Sequence, residues 1–408
     1  MLKYNRKTLI SLFHDLNQLS TDPKRVSLCF SIQERLLTHI RRTEYRIRAL
    51  KNQNNGLRNT IRHARLPREQ TIKLKEQMEL NDSKKQSFNQ LLNIFRDIGD
   101  GIAFIYLDKW DIKPLCMSKE HAGFISGKKG IRLELNIFRH CKSQNIICIF
   151  NDITNAIRYG DITVLKHGMP QFFEAKSGRS SINDGRTQRQ LERAKKILKY
   201  IIHDHAEGVY PGQGDITLHR RALAKNERHH RKKLETLLVK VLGSQKNATI
   251  KIENGLYYNV SVSAGSAVKE LNRLPSGAKW CVFFVNMEKQ VKQAYYPFTL
   301  SVKNPEALFA FYDGQCVITV FVDLNVIEEQ LRERGITVEF YEDGQYFLRM
   351  DNPQTLMRDV RVSHHFIGRL GAEFLSLKWM IEELCAWATE LPIIDTEARP
   401  LMASSSPN

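Results

Sequence analysis

Apolar positions recur at helical spacing through the first hundred residues. Between residues 31 and 65 the breakers are few apart from Gly56, and Ile32, Leu36, Ile40, Ile47 and Leu50 form a sparse apolar line. Pro67 separates this stretch from a second helical pattern over 68–98, so a helical hairpin is predicted. Residues 102–107, IAFIYL, read either as a strand or as that helix continuing through Gly99 and Gly101. Asp97 and Asp100 are then expected at a helix terminus. Farther on, Ile131, Leu135 and Phe138 mark a helix over 130–144, and the continuous apolar run 145–150, NIICIF, suits a buried strand. Ile162 to Leu165 and residues 171–176 read as two strands around the turn signal His167-Gly168-Met169-Pro170. A helix from Asn183 or Asp184 to about His203 follows, with Gln190, Ala194, Ile197 and Ile201 on one face. Residues 218–241 are predicted as a further helix. Asn254-Gly255 marks a hairpin across 248–263. Strands are predicted at 280–286, 315–323 and 337–350, and helices at 325–334 and 366–389.

Candidate chemistry gathers on the two strands after Gly160. Asp161 opens the first, and strand alternation puts Glu174 and Lys176 on one side of the second, with Phe173 and Ala175 on the other. A tight hairpin then brings Asp161 close to Glu174. Two carboxylates with a lysine beside them can bind one or two divalent ions. The ammonium can orient or help deprotonate an attacking water, which is the equipment of phosphodiester cleavage. Ser126-Gly127-Lys128-Lys129-Gly130 reads as a flexible phosphate-facing loop, but it lacks the GxxxxGK[ST] spacing and predicts no nucleotide site.

Gly160-Asp161 followed by Glu174-Ala175-Lys176 resembles the PD-(D/E)xK nuclease superfamily of restriction and repair enzymes, with glycine in place of the usual proline. The resemblance implies a restriction-endonuclease-like αβββαβ core, and the predicted order of helix, strand, Asp strand, ExK strand and helix fits it. By the same resemblance Asp161 and Glu174 would hold Mg²⁺, the Ala175 carbonyl would add a ligand, and Lys176 would position the water. Glu134 would be the helix glutamate that joins the metal site; its plainer role is a partly exposed carboxylate paired with Arg132 or Arg139. Gln190, with Gln188 as its neighbour, would hold the water or a phosphate. Such oxygen-rich ligation suits Mg²⁺ or Mn²⁺ better than zinc.

Charge adds a partner class. The 408-residue chain carries a formal net charge of +18 and a pI near 9.5, which favours a polyanion, with DNA first. Residues 1–100 hold 20 Lys and Arg against 10 Asp and Glu. The hairpin's Arg41, Arg42, Arg46, Arg48 and Arg62 fit DNA phosphates, a dimer interface or a solvated helix pair, and a homo-oligomer through these helices is expected. The 218–241 helix would present Arg220, Arg221, Lys225, Arg228, Arg231 and Lys232 to the substrate backbone; the rival is an acidic surface on a partner protein. Seven scattered cysteines without a CxxC pair argue for a reducing compartment. No signal peptide or long uncharged apolar stretch stands out, so a cytoplasmic protein with no membrane role is expected.

The expectation is thus an α/β protein in three parts. Residues 1–100 form a basic helical hairpin region. Residues 101–210 form the nuclease core, extending to about 290 if 280–286 supplies its last strand. Residues 211–408 form a basic helix and a mixed α/β C-terminal region. The expected activity is that of a Mg²⁺-dependent DNA endonuclease in defence against foreign DNA. Its rivals are a non-enzymatic nucleic-acid-binding or scaffold protein and an RNase.

Overall fold

The computed structural model describes residues 2–115, 123–128, 130–157, 159–166, 169–175, 185–207, 217–287, 295–341, 346–355 and 359–389. These divide into two compact units, the first ending at Leu198 and the second starting at Lys199. The architecture is mixed α/β. A largely helical N-terminal region is followed by helices and small antiparallel sheets. No helix among the described residues is long and apolar enough to cross a membrane.

In the first unit, α1 (Arg6–Thr21) precedes two long helices, α2 (Val26–His63) and α3 (Arg68–Tyr106). Pro67, with no N–H and a fixed φ, starts α3. The pair is antiparallel, because Asn54 bonds Met78 and Asn81 while Glu44, ten residues earlier, meets Arg96. Residues 102–106 resolve as helix, with Leu107 as the extended cap: α3 runs on through Gly99 and Gly101. Gly99 is needed for close approach, since a methyl group there would stand 2.1 Å from the Ile153 carbonyl oxygen. Asp97 and Asp100 therefore lie inside a helix and not at its end. Asp100 is buried and accepts the backbone N–H groups of Asn155 and Ala156, both at 2.7 Å. A short helix α4 (Lys109–Leu115) follows.

The helical hairpin and the first sheet share one core. Phe30 of α2 meets Phe138 of α5 (Ile131–Ser143) edge to face at 5.0 Å, and Phe138 meets Phe150 of β1 (Cys148–Phe150) at 6.3 Å. All three rings are buried, a contribution of about 1.5–3 kcal/mol each. The outer edge of β1 is covered by one side chain. Gln33 of α2 donates to the Cys148 carbonyl and accepts the Phe150 N–H, both at 2.9 Å, so it stands where a neighbouring strand would. β1 pairs antiparallel with β2 (Ile162–Lys166), and β2 with β3 (Met169–Phe173). α6 (Gly185–His203) comes next, so helix, three strands and helix occur in the expected order. The next strand, β4 (His205–Glu207), pairs with β5 (Thr217–His219) in a separate two-stranded sheet.

The second unit centres on a four-stranded antiparallel sheet ordered β6-β7-β9-β8, from Ala248–Glu253, Leu256–Ser261, Val317–Asp323 and Trp280–Phe284 respectively. The Asn254-Gly255 hairpin forms as its sequence dictates, with Gly255 at φ +75°. Trp280–Phe284, the strand offered as the last of a nuclease core, pairs with β9 of this sheet. A smaller sheet holds β10 (Thr337–Phe340), β11 (Leu348–Asp351) and β12 (Val360–Val362).

Two predicted helices are corrected. The 218–241 helix begins only at Arg231, as α7 (Arg231–Ser244). Residues 225–230 are drawn out because their backbone bonds elsewhere. The Lys225 carbonyl accepts from Trp379 Nε1, the Arg228 carbonyl accepts the Ser376 N–H, and the His230 N–H donates to the Phe374 carbonyl. The 366–389 helix is split into His364–Ala372 and Leu377–Thr389. Phe374 sits at φ +57° between them, and Ser376 Oγ accepts the Trp379 N–H to start the second.

Candidate functional site

The Lys128 ammonium is the hub of a charged cluster at the sheet end of the first unit. It lies 2.5 Å from Asp161 Oδ1, 2.9 Å from Asp152 Oδ2 and 2.9 Å from Glu134 Oε1. Three different elements deliver the acids: Glu134 from the first turn of α5, Asp152 from a short 3-10 turn after β1, and Asp161 from just before β2.

Lys128 is placed by the helical hairpin. Buried Glu44 of α2 accepts the N–H groups of Ile125 (3.1 Å) and Ser126 (2.8 Å), Arg48 donates to the Ser126 carbonyl, and Arg96 donates to that of Gly123 at 2.9 Å. Gly127, at φ +81°, then turns the chain so that Lys128 follows. The loop is therefore pinned at both ends of the hairpin's charge pair.

Asp161 is equally constrained. Its N–H donates to the Phe173 carbonyl and its Oδ2 accepts the Ala175 N–H, both at 2.7 Å. Gly160 before it adopts φ +71°, which proline cannot reach, and this accounts for glycine at that position. Behind it, Asn151 donates to the carbonyls of Tyr159 and Gly160 and accepts from Thr163, which fixes the approach to β2.

Glu134 is fully buried, and neither carboxyl oxygen has a well-aligned hydrogen bond; its close partner is the Lys128 ion pair. Burial pushes its carboxyl up to about 7; Lys128 opposes that, and the charges of Asp161 and Asp152 add to it. Burial would lower the Lys128 ammonium, but the Asp152 charge, hydrogen bonds to Asp161 and Asp152 and the close Glu134 carboxylate hold it above the usual lysine range. A methyl group on Gly130 would stand 3.3 Å from Glu134 Oε1 and 3.4 Å from the Ala175 carbonyl oxygen. Glu134, Asp161 and the Ala175 carbonyl thus meet in one place.

The remaining anticipated residues are distributed differently. Glu174 is exposed, just past the end of β3. Lys176 lies outside the described residues, as do Asn183 and Asp184, and Gln190 is carried by α6. Lys128 and Asp152 were not anticipated as site residues. The glycine-flanked loop was the one local signal for Lys128, and Asp152 carries none.

The basic row over 220–232 is largely engaged within the second unit. Arg220 pairs with Asp204 at 3.1 Å and lies over Tyr200, Arg221 donates to the Ala386 carbonyl, and Lys225 pairs with Glu382. Arg231 stacks on Tyr296 at 3.8 Å. Arg228 and Lys232 are exposed.

No family model matches the chain, and no curated protein and no solved structure matches it. Among the described residues no group of three or more His, Cys, Asp and Glu side chains is arranged to hold a metal ion. The carboxylates close on an ammonium instead. The donor set still suits a hard divalent ion, being all oxygen, with two buried Glu134 oxygens lacking well-aligned hydrogen bonds.

Proposed function

We propose that the first unit is a Mg²⁺- or Mn²⁺-dependent nuclease of the PD-(D/E)xK type, hydrolysing phosphodiesters of nucleic acid, DNA in preference to RNA. The observation that carries this is the meeting of Glu134, Asp161 and the Ala175 carbonyl beside one cation, Lys128. Those three groups would hold the metal, with Glu174 at the adjoining strand end. A bound Mg²⁺ would polarise the phosphoryl oxygens and lower the pKa of a bound water. The chain's own contribution is placement. The Ala175 N–H holds Asp161 in one orientation, Glu44 and Arg48 hold the Lys128 loop, and burial keeps water from Glu134. Lys176 would orient the attacking water, and Gln190 a phosphate oxygen. A role in defence against foreign DNA is part of the same proposal.

Because Lys128 already bridges the acids, a second reading has specific support: a non-catalytic nucleic-acid-binding or scaffold protein whose cluster is an internal ion network. Plasmid nicking with and without Mg²⁺, run beside Asp161→Ala and Lys176→Ala and repeated on RNA, separates the two. Metal-dependent nicking by the wild type, lost in both variants with binding retained, is expected. Absence of cleavage of either substrate by the wild type, or undiminished cleavage by Asp161→Ala, overturns the nuclease.

A further inference from the structure

On the outer face of α2, Thr38, Arg41, Arg42, Tyr45 and Arg46 recur at i, i+3, i+4, i+7 and i+8, so they form one stripe. Together with Ser126 they line a surface pocket of about 530 Å³. All five helical residues are exposed, Tyr45 to 72%. Among the described residues no carboxylate pairs with Arg41, Arg42 or Arg46. Glu44, the acid in their midst, is turned inward and occupied by Arg96 and the 125–126 backbone. Arg46 is steadied over the Phe88 ring at 5.6 Å. Beside the stripe, burial first, then the charges of Arg42 and Arg35, hold the His39 imidazole below its usual range.

We infer that this stripe is a binding site for single-stranded nucleic acid: the guanidinium groups of Arg41, Arg42 and Arg46 take successive phosphates and Tyr45 stacks one base. Planar guanidinium forks match phosphate oxygens, and an exposed aromatic among them offers a surface that any base can cover. An acidic protein would satisfy the arginines, whereas a single strand matches both their spacing along the helix and the exposed ring among them. Ser126 at the pocket's edge belongs to the same pinned loop as Lys128, so a strand on the stripe is led toward the acidic cluster. The proposal rests on the nuclease reading for that direction alone. Binding stands or falls by itself.

The test is titration of a fluorescent oligothymidylate with the full chain in EDTA at several salt concentrations. That arrangement keeps failure of binding distinct from failure of cleavage in the plasmid assay. The Arg41→Ala/Arg42→Ala/Arg46→Ala variant is expected to reduce the slope of log affinity against log salt by about 2, at ~0.7 for each lost phosphate contact. Tyr45→Ala is expected to weaken binding about tenfold at unchanged slope, with Tyr45→Phe restoring it. Circular dichroism and melting of each variant should match the wild type, since the altered side chains are exposed. The inference is overturned if the triple variant keeps the wild-type slope, or if Tyr45→Ala keeps wild-type affinity. It is also overturned if poly-glutamate binds as tightly as the oligonucleotide and is lost with the same variants, which would make the stripe a docking site for an acidic protein.

Discussion

The two units each bury a charged cluster, and the clusters differ in how they close. In the second unit Arg369 is fully buried, donates to Glu373 Oε2 at 2.8 Å and to Glu227, and lies by the Phe366 and Trp379 rings. Burial acts to lower its guanidinium, but the two glutamates hold it above the usual range. Arg231 feels the same pair of acids, so two cations answer two anions. Around Lys128 three carboxylates share one ammonium that is 31% exposed, and burial drives one of them, Glu134, toward neutrality. A balanced, sealed network fixes a fold. An acid-rich one with a partly open cation keeps uncompensated negative charge, which is the physical ground on which we propose chemistry in the first unit.

The largest effect is expected at Arg369. Arg369→Leu strands two buried glutamates and should cost about 3–5 kcal/mol in urea unfolding, with no response to divalent ions. A loss that Mg²⁺ restores would erase the distinction. Lys128→Met should cost about 2–3 kcal/mol in EDTA, because three acids then face one another. Millimolar Mg²⁺ or Mn²⁺ should recover most of that loss and raise the melting temperature of the variant more than that of the wild type. If neither ion moves the variant, the cluster is no cation site.

A smaller effect is expected at Glu134. Its folded-state pKa is raised from 4.5 to about 7, so its contribution to stability is fully present below pH 4.5 and fades as pH climbs through 7. Glu134→Gln has no such loss. It should gain on the wild type between pH 4.5 and 7 by on the order of 2 kcal/mol, read by urea unfolding in EDTA at pH 5 and pH 8. A constant difference across that range would contradict the assignment. The least effect belongs to Lys225→Ala, whose partly exposed pair with Glu382 should be worth under ~1 kcal/mol and should weaken further in salt.

Local chemistry explains what could be anticipated. The helical hairpin, the helix over 131–143, the three strands after it and the Asn254-Gly255 turn all follow from patterns a few residues long, where propensity and burial agree. Glu134 and Asp161, which meet at Lys128, could be picked out in advance because each is an acid set against an apolar stripe or strand. The failures occur where distant partners override local preference. Residues 225–230 have helical composition, yet Trp379, Ser376 and Phe374 capture their backbone, and the arginines before them find partners inside the second unit.

The sequence by itself determined the kinds of element, the basic character of the hairpin and two of the acids at the cluster, since these depend on period and residue type. It took the folded chain to show that Lys128 and Asp152 join Glu134 and Asp161, and that Arg41, Arg42, Tyr45 and Arg46 lie exposed around one surface pocket. A loop carries no record of where its lysine will point. Glu44, some eighty residues away, supplies the carboxylate that turns it.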